Sequence, residues 1–116
     1  MDTIVFASPI LPGQTEAYQA FLQEMQTSRH QEYIASRQRM GIQRERVWIQ
    51  HMTVGDWAIL VVEAEMASQV FKEIGTSRDP FDQWFRQQEG ATLDMSRTPS
   101  SSAMPLLAFD SAPSGE

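Results

Sequence analysis

Arg29, Tyr33 and Arg37 recur at one-turn intervals, so a helix through them would stack all three on one side. Two guanidinium groups flanking a phenol could cradle a carboxylate or an enolate, because each guanidinium presents a planar fork of donors. The same spacing also describes a solvated helix face on which Arg29 pairs with Glu24 or Glu32. His30 and His51 are the two histidines, and histidine is the general base to look for near neutral pH. His30, next to Arg29, is the better candidate, while His51 falls at a strand end beside a turn. Neither has a carboxylate at motif spacing. Trp48 and Gln50 share one strand face, where an amide could orient a ligand carbonyl and an indole could stack on it. Packing between subunits would explain the same two residues. Asp79 and Asp82 resemble an acid pair, yet Asp-Pro-x-Asp at a helix start accounts for both as capping groups.

Other chemistries are excluded or disfavoured. The chain has no cysteine, so it has no disulfide, thiolate nucleophile or cysteine zinc site. With two histidines and no cysteine, neither a metal nor a haem is expected, and no cofactor is assigned. Neither a phosphate-binding glycine loop nor a nucleophile elbow occurs. A net charge of −6 argues against nucleic-acid binding, which needs a basic surface. The cations are nevertheless eight arginines and Lys72, a bias that leaves an anionic small molecule open as a ligand. No apolar run approaches the roughly 20 residues that span a bilayer. The opening MDTIVFASPI reads as a strand, so a cytoplasmic protein with no membrane partner is expected.

The elements that must position these residues are organised around residues 44–65. There Val47 and Ile49 alternate with Trp48, Gln50 and Met52, and a turn at Thr53-Val54-Gly55-Asp56 leads into a second strand. That second strand is apolar on both faces, Trp57, Ile59 and Val61 on one and Ala58, Leu60, Val62 and Ala64 on the other. The spacing predicts a first strand over 3–11 and a long helix from about Gln14 to Met40, closed by Gly41. Tyr18, Phe21, Leu22 and Met25 give that helix an apolar stripe, which weakens near Thr27-Ser28, where a bend is one explanation. Helices are predicted over about 66–74, stopped by Gly75, and 80–89, closed by Gly90, the latter presenting Phe81, Trp84 and Phe85 to a core. Residues 105–109 could add a last strand after a Ser/Pro loop at 96–104, with a disordered tail at 110–116.

The predicted order is βαββαβ, the ferredoxin-like arrangement, an α+β fold with a four-stranded antiparallel sheet and the helices on one face. The domain proper spans 1–95. An apolar second sheet face calls for a cover, and a second copy of the same sheet supplies it by twofold pairing. On the stretches LPGQTEAY, SRHQEYIASRQRMGI, RERVWIQ, GDWAILVVEAE and DPFDQWF, the chain resembles the dimeric α+β barrel superfamily. Within it, the chain resembles a small bacterial family of unknown function. The resemblance implies a homodimer formed through the sheet face, with a cavity between sheet and helices. Proteins of this architecture include cofactor-free monooxygenases and isomerases, so the fold does not name a reaction. The expected site is a small-molecule pocket lined by Arg29, Tyr33, Arg37, Trp48 and Gln50. A cofactor-independent enzyme using His30 as base is the alternative, and a ligand-free interaction protein the third reading.

Overall fold

The computed structural model describes residues 1–97 and 106–112. Its elements are β1 (Asp2–Pro9), α1 (Thr15–Gln26), α2 (His30–Met40), β2 (Ile42–Met52), β3 (Gly55–Ala64), α3 (Ala67–Thr76) and α4 (Pro80–Thr92), followed by a 3-10 turn at Met95–Arg97. The three strands form one antiparallel sheet in the order β1-β3-β2. Among the described residues this is the ferredoxin-like order with β1 at an edge.

Alternation decides which residues meet the helices. Ile4, Phe6 and Ser8 of β1 share a face with Ala58, Leu60, Val62 and Ala64 of β3, and α1, α3 and α4 pack on that face. One core cluster joins Tyr18, Phe21 and Met25 to Phe81, Phe85 and Leu60, and a second joins Ile4 and Val62 to Val70. In β2 the register shifts between Ile42 and Arg44, a bulge that inserts one residue. The insertion lets Ile42 and Glu45 face the helices together, although they stand an odd number of residues apart.

The expected long helix is two helices. Thr27 leaves helical geometry at φ −126 and ψ −94, and its hydroxyl donates to the Gln23 carbonyl at 2.8 Å. Thr and Ser side chains compete for backbone groups in this way and weaken a helix where they cluster. The Arg29 N–H donates back to Glu24 O at 2.8 Å, and α2 starts afresh from Arg29. Gly41 closes α2 at φ 75, its N–H donating to the carbonyls of Arg37 and Gln38. Gly75 and Gly90, expected to end helices, instead lie inside α3 and α4 with negative φ. The Thr92 hydroxyl donates to Gln88 O at 2.6 Å, and Leu93 bridges to Ile10, so α4 is held through its last turn. Asp79 caps α4, accepting from the N–H groups of Phe81 and Asp82, with Pro80 in the first turn.

Residues 106–109 take no strand, so the described sheet has three strands and not four. The rest of the expected last strand, Pro105, lies outside the described residues. So do the Ser/Pro loop beyond Arg97 and the tail beyond Ala112.

Candidate functional site

Between α1, α2, α4 and the inner face of the sheet lies a cavity of about 280 Å³. Its apolar walls include Phe21, Leu22 and Met25 of α1, Val47 and Leu60 of the sheet, and Phe85 of α4. Its polar walls are Tyr18, His30, Tyr33, Glu45 and Glu89, with Gln26 beside them. Two carboxyls thus stand on the walls of a chamber of mixed character, one from a strand and one from a helix.

Their surroundings differ. Glu45 is locked in place: the Tyr33 hydroxyl donates to Oε1 at 2.7 Å, Arg37 Nε donates to the same oxygen at 2.9 Å, and Arg37 Nη2 reaches Oε2 at 3.4 Å. The pair is nearly dry, the Arg37 and Glu45 side chains being 5% and 11% exposed. Burial alone would lower the pKa of Arg37, but the Glu45 carboxylate outweighs it and the guanidinium is held more firmly protonated than usual. Its plane also lies over the Phe85 ring at 4.3 Å and the Tyr33 ring at 4.9 Å.

Glu89 has no such partner. No side-chain hydrogen bond reaches its carboxyl from another described residue. The residue is half-buried and its carboxyl is reached from the cavity. Burial, then repulsion from Glu45, pushes its pKa up from 4.5 to about 7, against a smaller attraction to Arg37. Near neutral pH this group can therefore give or take a proton. Tyr18, 1% exposed, lies near both acids, and burial and then the charges of Glu89 and Glu45 raise the pKa of its phenol. Its hydroxyl makes no hydrogen bond to another described residue, so it is a donor available to a cavity occupant. Burial and Glu45 likewise raise Tyr33.

The residues singled out from sequence divide between two faces. Tyr33 and His30 line the cavity, and Arg37 supports it from behind Glu45. His30 Nδ1 lies 3.2 Å from the Met25 carbonyl, which can only accept, so that contact holds the proton on Nδ1 and leaves Nε2 free. Its ring stacks on Tyr33 at 6.3 Å between centroids. Arg29 lies over the Trp84 ring at 4.2 Å, with Glu24 and Glu32 at 3.8 and 3.6 Å, and is not part of the wall. Trp48 and Gln50 project from the opposite sheet face, outside this cavity. Exposed His51 donates to Asp56 at 2.8 Å near the hairpin turn.

Glu45, Glu89 and Tyr18 were not among the residues picked from sequence, yet a signal existed. Glu45 alternates with Val47 and Ile49 on the buried strand face, and Glu89 continues the helical stripe of Phe81 and Phe85. An acid on an apolar stripe is costly unless paired or functional. Asp82 has a structural role. It is 2% exposed and accepts from Ser36, Ser77 and Arg39; against burial, these donors hold its carboxyl below the usual range. Ser36 also accepts from Arg37 Nη1 at 3.1 Å, so the Asp82 cluster is joined to the Arg37–Glu45 pair. Among the described residues no cluster of His, Asp and Glu could hold a metal ion. No described helix is long and apolar enough to cross a membrane.

The model of a family of unknown function, DUF6176, matches residues 1–112. The chain belongs to that family. No curated protein sequence matches it. Among solved structures, the chain is similar to the tetracenomycin F2 cyclase of Streptomyces glaucescens, a type-II polyketide cyclase. The identity is 14% and the TM-score 0.58, over 97% of this chain and 100% of the cyclase chain. At that identity the likeness establishes a shared α+β fold and leaves the chemistry to the site itself.

Proposed function

We propose that this protein is a cofactor-independent acid–base catalyst acting on a small, largely apolar carbonyl compound. The observation that carries the reading is Glu89: a half-buried carboxyl without a side-chain partner among the described residues, raised to about 7, on the wall of a cavity. Two acids with such different environments take different roles. Glu45, fixed by Arg37 and Tyr33, supplies the negative field that keeps a proton on Glu89. Glu89 exchanges that proton with the ligand oxygen, while the Tyr18 hydroxyl donates to the same oxygen or its neighbour. His30 Nε2, at the exposed rim, can accept a proton from an adjacent carbon. Two carboxyls and a fully neutralised arginine disfavour an anion, so the ligand is neutral, not the anionic molecule that the arginine count suggested. Simple binding without turnover uses the same cavity and is supported by the unengaged Tyr18 hydroxyl.

The functional unit is a homodimer through the outer sheet face. That face carries Val5, Val61 and Ile59 beside Trp57 and Trp48, with Trp48 49% and Val5 39% exposed, a patch fit for burial against a second copy. Arg46, on the same face, has a buried Nε without a hydrogen-bond partner among the described residues, which an acceptor on the second copy would satisfy. Trp48 and Gln50 act in this seam. The fourth strand belongs to the assembled state: Leu106, Leu107 and Phe109 are 89%, 76% and 82% exposed, and among the described residues no strand pairs with the outer edge of β1.

The direct test is a carbon-13 NMR titration of the Glu89 carboxyl, paired with deuterium uptake at the α-carbon of small apolar ketones in heavy water. A Glu89 midpoint near 7 and uptake lost in Glu89→Gln support the proposal. An ordinary midpoint in the carboxylate range of about 4–5 would sink it.

A further inference from the structure

Glu45 and Glu89 face a second cavity as well, of about 150 Å³. It lies under α3, between Val70, Phe71 and Ile74 on one side and Ile4 and Val62 of the sheet on the other. Glu45, Leu60, Phe85 and Glu89 line both chambers, so the two are neighbours that share these four side chains. Apart from those acids, the walls of the second chamber bear only hydrocarbon, aromatic and thioether side chains.

Its size has a useful reference: an apolar cavity of about 150 Å³ lined by Leu, Ile and Phe stays dry and takes up benzene or xenon. Protein interiors are close-packed, and a void of this size forfeits contacts on every wall. Of α3, Val70 is fully buried, and the half-buried Phe71 and Ile74 pack around the space without closing it. A void kept beside a carboxyl that has no side-chain partner among the described residues is what a ligand site requires.

We propose that the two chambers form one bipartite site for an elongated, uncharged carbonyl compound. Its carbonyl meets Glu89 and Tyr18, and a ring or short branched chain of roughly six carbons fills the apolar chamber. The placement of the carbonyl rests on the acid–base reading above, whereas occupancy of the apolar chamber rests on geometry alone. The reacting carbonyl is then internal, with substituents on both sides, and short polar acids are poor ligands. Hydrocarbon burial in the second chamber supplies binding energy away from the reacting atoms and displaces water from Glu89.

Three probes test this on the full chain by methyl NMR: benzene, acetone and benzylacetone. Benzene should shift the methyl signals of Ile4, Val62 and Val70 and leave those of Val47 in place. Benzylacetone should bind at least ~10-fold more tightly than acetone, a modest return for burying a phenyl ring. Ile74→Phe, which fills the chamber from a half-buried position, should remove that advantage and spare the weak acetone binding. Unmoved Ile4, Val62 and Val70 signals under saturating benzene would overturn the bipartite site without any variant being made. Equal affinity for acetone and benzylacetone would overturn it too. Titrating Glu89 in the same samples keeps the two ideas separate: an ordinary midpoint with benzene bound would refute the acid–base reading and leave the apolar chamber standing.

Discussion

Replacing Glu89 by Gln should make this protein more stable and less competent. In the folded chain the Glu89 carboxyl is pushed from 4.5 to about 7, so between those pH values folding retains a proton that the unfolded chain releases. The sign follows from that: relative to a neutral residue, Glu89 costs nothing below its unfolded value, and the cost grows as pH rises through the folded value. Each pH unit removes about 1.4 kcal/mol, so the full shift corresponds to about 3 kcal/mol. Because the side chain is only half-buried, solvent screening reduces the figure to roughly 2 kcal/mol. Gln has nearly the same shape, and no side-chain hydrogen bond from another described residue is lost. Urea unfolding of both proteins from about pH 5 to pH 9 reads the difference directly, since other titrating groups cancel. The curves should converge at the acidic end, and Glu89→Gln should lead by roughly 2 kcal/mol at about pH 8. A difference that does not change with pH, or a destabilised variant at alkaline pH, would refute the account of Glu89. A site residue whose removal stabilises the fold is the expected mark of function held at a cost in stability.

Other perturbations probe the surroundings. Glu45→Gln leaves the buried Arg37 charge without its partner and should cost roughly 3–5 kcal/mol in urea unfolding. In whatever fraction folds, Glu89 should titrate lower, because a repelling neighbour has gone. Asp82→Asn should destabilise by about 3 kcal/mol. Because the Asp82 carboxyl is held below its usual range, its contribution should be intact above that range and lost as pH falls through the lowered value, which acid unfolding would show. Trp48→Glu on the outer face should yield monomers at micromolar concentration by light scattering, with the Glu89 titration unchanged. A dimer that survives it would place the seam elsewhere.

Period-two alternation in β2 and β3, the Asp79-Pro80 start of α4 and the Gly41 stop of α2 are local signals, each set by the steric or hydrogen-bonding demands of a few neighbours. They make the α+β class, the hairpin and the helix faces legible from the chain itself. The helix break at Thr27 was half-visible, because hydroxyl competition with the backbone lowers helix stability without saying whether packing will tolerate a bend. The site was less legible. Tyr33 and His30 could be placed on one helix turn, but whether that turn meets a cavity depends on where α4 and β2 arrive. Glu45 lies on the inner face by the same alternation as Val47 and Ile49, and Glu89 lies on the Phe81–Phe85 stripe of α4, so each was legible alone but their meeting was not. Distance between residues remote in the chain, and the removal of water that raises one acid and not its neighbour, arise only from tertiary packing. The sequence by itself determined which elements form and which faces are apolar. Only the folded structure decided that two acids from separate elements share one wall, and that is where the chemistry resides.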